Sequence, residues 1–231
     1  MPKKIYFNPV SLSMAEIEFN KIMQELSKER PLFHNESDFQ FSLAWKIKSL
    51  YPSLAIRLEK AIYGDGKTAE YIDLLLSVGK KEKIGIELKY ITSLLVAGHD
   101  GEWFYLKTQS ANDIRCYYAV KDIQRLEKFV ETDEIARGYA IWLTNAPSLW
   151  KGTMNGSNYD DFRIYDGREI QGKLSWKPGT GDGTKKKREE PISLSGSYTL
   201  RWIKYSDVIP FQDINRYSKG TFYYSLNEVR L

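Results

Sequence analysis

Two strand-like runs, Glu70–Val78 and Lys83–Ile91, constrain the fold more than any other stretch of the 231 residues. In Lys83-Ile84-Gly85-Ile86-Glu87-Leu88-Lys89-Tyr90 the apolar residues alternate, so period two puts Ile84, Ile86, Leu88 and Tyr90 on one face. Glu87 and Lys89 then lie side by side on the other. Asp73, flanked by Ile72 and Leu74–Leu76, sits in the preceding run, and a hairpin register brings it beside Glu87. Two half-buried carboxylates repel each other and lose hydration unless a cation neutralises them. A divalent metal does so, and two carboxylates with open water positions suit Mg2+ or Mn2+. The plainer reading is a cross-strand ion pair, Asp73/Lys89 or Glu87/Lys89, on a solvent-facing sheet.

The rest of the chain is organised around this pair. Residues 14–28 carry Ile17, Ile22, Met23 and Leu26 among charges, an amphipathic helix ending near Pro31. A second helix begins after Asn35, a good N-cap, and its stripe Phe39, Leu43, Ile47, Leu50 stops at Pro52. Leu54–Tyr63 is a first strand, joined to the Asp73 strand through Gly64-Asp65-Gly66, and Gly79 marks the next hairpin turn. A loop with His99, Asp100 and Gly101 leads to a long helix, Ala111–Val130. Its apolar stripe is Cys116, Ala119, Ile123, Leu126 and Val130, with Arg115, Asp122 and Arg125 on the other side. Tyr139–Leu143 reads as a strand. After Trp150, turns separate aromatic-rich runs (Phe162–Tyr165, Ile192–Tyr205, Thr221–Ser225), and residues 178–190 have nothing apolar to bury and read as a mobile loop. The expected division is a helical appendage over 1–34, a core over 35–149 and a β-rich extension over 150–231 packed on that core.

Composition narrows the function classes. Hydrophobic residues at 42% and aromatics at 14% supply a core. One Cys and two His exclude a four-ligand Cys/His zinc site and an internal disulfide. No apolar run reaches membrane-spanning length and the first residues lack a signal-peptide pattern, so a cytoplasmic protein without a membrane partner is expected. A net charge of +4 permits an anionic partner without requiring one.

Other motifs carry less. Gly64-Asp65-Gly66-Lys67-Thr68 resembles a phosphate-binding loop, but a strand follows where a helix N-terminus is needed, so it reads as a hairpin turn. His34, His99 and Cys116 lack a nucleophile signature, and Cys116 falls on the apolar stripe. Lys185–Arg188 is read as a solvated loop, with phosphate contact or an address signal as its alternatives.

The residues around Asp73, Glu87 and Lys89 resemble the PD-(D/E)xK superfamily, the restriction-endonuclease-like phosphodiesterases. Ile72-Asp73 stands for the Pro-Asp, Glu87-Leu88-Lys89 for the (D/E)xK element, and residues 35–145 follow the order helix, three strands, helix, strand. The resemblance implies an α/β fold, a central mixed sheet flanked by helices. It also implies a Mg2+- or Mn2+-dependent nuclease with Asp73 and Glu87 on the metal and Lys89 holding or deprotonating the attacking water. Products with a 5′-phosphate follow from the same likeness; nucleic acid, DNA first, is the expected partner, and the oligomeric state is left open, a dimer included. Glu36, on the first core helix, matches the acid that often completes the metal site, and equally reads as a carboxylate favoured by a helix N-terminus. Gln109, Lys121, Gln124 and Arg125 are the candidates for nucleic-acid contact. The rivals are an inactive nucleic-acid-binding or scaffolding protein that keeps the fold, and an interaction protein presenting Tyr198, Leu200 and Trp202.

Overall fold

The alternation along β3 (Glu82–Ile91) separates two apolar layers. In the computed structural model, which describes residues 17–63, 68–78, 82–211 and 220–231, Ile84, Ile86, Leu88 and Tyr90 are buried against α1 (Phe19–Glu29) and α2 (Glu36–Leu50). The turns at Gly64–Gly66 and Gly79, and the first residues of the expected N-terminal helix, lie outside the described residues. Of α1, Phe19, Ile22, Met23 and Leu26 are buried in the cluster that holds the β3 residues. At roughly 2 kcal/mol per fully buried side chain, an upper estimate, this ties α1 into the main core rather than leaving it an appendage.

The central sheet is mixed. Its order is β1 (Ala55–Ile62), β2 (Glu70–Val78), β3, β6 (Arg137–Thr144), β10 (Thr221–Val229) and β9 (Trp202–Asp207). All neighbours are antiparallel except β3 and β6, which are parallel and joined through α3 (Asn112–Glu131). The opposite face from α1 and α2 is covered by α3 and the segment after residue 150. The architecture is therefore α/β, a central mixed sheet flanked by helices.

Two glycines decide how closely the apolar layer beneath α3 packs on the sheet. Gly85 and Gly138 are paired across β3 and β6. A Cβ on Gly138 would stand 2.8 Å from the Leu126 Cβ, and one on Gly85 would stand 2.3 Å from the Ile72 Cδ1. Bare backbone at Gly138 lets Leu126 of α3 lie directly on the sheet, and at Gly85 it makes room for Ile72 and Ile135. Asp122, one helical turn earlier, is thereby lowered onto the charged face of β3.

Several local expectations differ from the structure. The loop at His99–Gly101 is the turn of a hairpin, β4 (Leu95–His99) with β5 (Glu102–Leu106). Phe162–Tyr165 is not a strand: a 3-10 turn spans Asp160–Phe162, because the Asp160 carboxylate gathers Gly156 N–H, Ser157 Oγ and Arg163 Nε around itself and favours a turn. Ile192–Tyr205 breaks into β8 (Ile192–Thr199) and β9, and β8 pairs with β7 (Glu169–Leu174) in a hairpin on α3. That hairpin is fixed by the buried Glu127 carboxylate, which accepts from Ser195 N–H, Gly196 N–H and Tyr198 Oη at 2.8–3.0 Å. The segment after residue 150 thus divides between this hairpin and two strands of the central sheet. Two further short helices are α4 (Pro147–Trp150) and α5 (Asp182–Lys185). Tyr198, Leu200 and Trp202 are buried at 8% exposure or less, which removes them as a partner surface.

Candidate functional site

The site is built where β2 and β3 part. Their pairing ends at Leu74↔Ile86 although β3 continues to Ile91, so the next N–H groups on that edge need other acceptors. Two carboxylates supply them. Asp73 Oδ2 accepts from Leu88 N–H at 2.6 Å, and Glu36 Oε2, at the head of α2, accepts from Tyr90 N–H at 2.8 Å. Ile72 and Leu74, two residues apart, pack into different layers, which breaks the strict alternation at Asp73. Across from Asp73, Glu59 of β1 adopts φ 47°, an uncommon left-handed conformation, between the pairs Leu58↔Leu74 and Lys60↔Ile72. Gln40 of α2 ties the two together, donating to Glu59 Oε1 at 2.7 Å and to the Asp73 carbonyl at 2.8 Å.

Glu87 and Lys89 point toward α3, as the alternation requires. Glu87 is 1% exposed, and Arg125 of α3 lies on it, Nη2 3.1 Å from Oε1. Lys89 Nζ is 2.7 Å from Asp122 Oδ2 and donates to the Leu88 carbonyl at 2.9 Å. Arg125 Nη1 also donates to Glu87 Oε2 at 3.4 Å, so Glu87 Oε1 and Asp122 Oδ2 are left to the close ion-pair contacts of Arg125 and Lys89. Burial raises the Asp73 carboxyl to about 6, against the opposing pull of the Leu88 N–H and Lys89. Burial and the Asp122 charge push Glu87 well up, and burial raises Asp122 as well. For Lys89 burial favours the neutral amine, but Asp122, Glu36 and Asp73 outweigh it and hold the ammonium form. Four carboxylates, Glu36, Asp73, Glu87 and Asp122, gather here around Lys89 and Arg125, with Arg115 on the same cleft. Glu36, Lys89, Asp122 and Arg125 open onto a cleft of about 300 Å³.

Compared with protein-family models, curated proteins and solved structures, the chain has no match. The reading of the site rests on its geometry.

Asp73, Glu87, Lys89 and Glu36 are drawn into one neighbourhood. Among the described residues, no three His, Cys, Asp or Glu side chains gather closely enough to hold one ion. The reason is visible: Asp73 and Glu36 are each turned onto a β3 N–H, and Arg125 covers Glu87. Arg125 is also engaged by Glu70 at 3.5 Å and by the Tyr71 carbonyl, so its guanidinium serves as an internal counterion in this arrangement. Lys121 donates to Gln124 Oε1 at 2.6 Å, and Gln124 Nε2 to the Ser193 carbonyl at 2.9 Å. Gln109 donates its backbone N–H to the Thr92 carbonyl and leaves a buried Oε1 without a partner.

Asp122 is the residue that sequence reasoning missed as a member of the site. Its signal was present: with Arg115 and Arg125 it lies off the apolar stripe of α3, on one face. That face covers a charged strand rather than water. Cys116 is buried and its thiol is pushed up to about 12 by burial, which makes it inert as a nucleophile. His34 stacks on Phe104 and its ring contacts Glu102 at 2.8 Å. Among the described residues no helix is long and apolar enough to cross a membrane.

Proposed function

We propose that the chain is a metal-dependent nuclease with a core of the PD-(D/E)xK type, hydrolysing phosphodiester bonds of nucleic acid, DNA in the first instance. The observation that carries this reading is the crowding of three carboxylates, Asp73, Glu87 and Asp122, around Lys89 at the point where β2 and β3 diverge. The donor chemistry fits Mg2+ or Mn2+: all-oxygen ligands, with more carboxylates than cations gathered around them. Asp73 and Glu87 would hold the ion, with Glu36 the third acid within the same neighbourhood. Bound there, the metal would supply Lewis-acid stabilisation of phosphate charge and a more acidic water. Lys89, kept as an ammonium by its carboxylates, donates a hydrogen bond to the attacking water or to a phosphate oxygen. Asp122 positions Lys89 for that contact.

A second reading has its own observation. Arg125 lies on Glu87 where a cation is needed, and an arginine that stays there makes the protein a nucleic-acid-binding module without turnover. Incubating the protein with plasmid, linear duplex, single-stranded DNA and RNA in Mg2+, Mn2+ and EDTA separates the two. Cleavage that needs the metal supports the nuclease; binding with no cleavage of any substrate selects the inactive module.

A further inference from the structure

The basic run at Lys185–Arg188 is not a loop free in solvent. Arg188 Nη1 donates to the Tyr118 hydroxyl at 2.9 Å, with its guanidinium 5.6 Å from the centre of that ring. Its Nε donates to the Thr184 carbonyl at 2.7 Å, and its own carbonyl accepts from the Trp176 indole at 2.8 Å. Tyr118 lines the cleft that also contains Lys89 and Asp122. One arginine therefore acts as a staple that fastens the turn to the rim of the candidate active site.

The staple determines what the other cations do. α5 gives one short turn, and Lys187 then takes φ 65°, a left-handed conformation that reverses the chain. Glu189, the acid nearest in sequence, is turned back onto the Lys187 N–H at 2.9 Å. Lys186 and Lys187 are exposed, and Lys185 has only a 3.5 Å contact with an exposed Asp182. On the same cleft, Arg115 adds a further cation. A flexible tail of lysines would not need this anchoring; a docked turn fixes where the positive charge lies.

We propose that Lys185, Lys186 and Lys187 form a phosphate-contacting lip, stapled to α3 by Arg188, that grips the backbone of a nucleic acid entering the cleft. The inference rests on the nuclease reading for the identity of the polyanion. Its chemistry is sequence-independent: ammonium groups on a fixed turn neutralise backbone phosphates and release counterions.

The test is fluorescence anisotropy with a short labelled DNA duplex in EDTA over a series of salt concentrations, with single-stranded DNA and RNA probes in parallel. The triple variant Lys185→Gln, Lys186→Gln, Lys187→Gln should bind roughly tenfold or more weakly at moderate salt. Its slope of log affinity against log salt should be shallower by about one for each lost contact. A control triple, Lys21→Gln, Lys28→Gln, Lys204→Gln, removes equal charge from exposed sites elsewhere and should leave affinity nearly unchanged. Arg188→Ala keeps all three lysines but frees the turn, and should weaken binding by several-fold. Equal losses in the two triple variants, or none in the lip variant, overturn the proposal. Wild-type cleavage of the same duplex in Mg2+ keeps the two ideas apart. Salt-dependent binding through the lip without cleavage sinks the nuclease reading alone, and cleavage with an unaffected lip variant sinks the lip alone.

Discussion

Two buried acidic clusters in this protein are equally hidden from water and opposite in character. Asp160, 1% exposed, accepts from Gly156 N–H at 2.8 Å, Ser157 Oγ at 2.7 Å, Arg163 Nε at 2.9 Å and Lys177 Nζ at 2.7 Å. Burial alone would raise its carboxyl, but the donors from Lys177, Ser157 and Arg163 win and hold it well below the usual range. Glu87 and Asp122 are 1% and 3% exposed, yet they crowd with Asp73 around Lys89 and Arg125, and all three carboxyls are raised. Burial of an acid is therefore no sign of function by itself. The balance of donors and charge around it is, because a structural carboxylate is satisfied within the fold while a site awaiting a ligand is left short of positive charge.

The sharpest way to break this contrast is to remove the lysine from each cluster. Lys89→Ala should lower single-turnover cleavage by on the order of a hundredfold or more, about 3 kcal/mol in the transition state, with the fold intact by circular dichroism. Lys177→Ala should leave the cleavage rate within about twofold and lower the melting temperature instead. Equal rates for Lys89→Ala and wild type would make Lys89 an ordinary ion-pair partner.

Next in size is the effect of neutralising an acid. Asp160→Asn removes the charge that Arg163 and Lys177 both need and should lower stability by about 3 kcal/mol near neutral pH, read by urea denaturation. Asp73→Asn should be neutral or stabilising, since an amide oxygen can still accept from Leu88 N–H while a like-charge contact disappears. A severe loss in Asp73→Asn would place Asp73 with the structural carboxylates.

The same pair should diverge in pH dependence. Asp73 keeps its proton up to about 6 when folded, against about 4 when unfolded. Between those values the folded state binds more protons, so this group's contribution falls as pH rises, by up to about 3 kcal/mol. The stability of Asp73→Asn relative to wild type should accordingly climb from about pH 4 to about pH 7. Asp160 has the opposite sign: its contribution is present above the ordinary carboxylate pKa and is lost as pH falls through its depressed folded value. The deficit of Asp160→Asn should thus shrink only in acid. Parallel pH profiles for the two variants would erase the distinction.

The fold was legible where one strand's alternation decided two layers, and less so where pairing is long-range. The charged face of β3, the Cys116 stripe and the α2 N-cap, where the Asn35 side chain accepts from Asp38 N–H, follow from spacing within a few residues. That β10 pairs with β6, some eighty residues away, has no local signature, so the last strands read as part of an extension. At the site, period two located Glu87 and Lys89, but the polar face of α3 was read as the side away from the core, because helical periodicity cannot tell water from a charged strand as its neighbour. Asp122 and the counterion role of Arg125 depend on Gly138, whose meaning is a close approach of Leu126 that only three dimensions reveal. The lip at residues 185–187 was hidden for a related reason: its anchor is a polar side chain, Arg188, and not an apolar one.

The central claim is that the Asp73–Glu87–Asp122 cluster takes up a divalent cation and the Asp160 cluster does not. Calorimetric titration of Mn2+ into wild type, Asp73→Asn and Asp160→Asn near neutral pH, with each variant's folding checked first, tests it directly. The account predicts one saturable site in wild type and in Asp160→Asn, and its loss in Asp73→Asn. Saturable binding of equal strength in wild type and Asp73→Asn, or none in wild type, would contradict it.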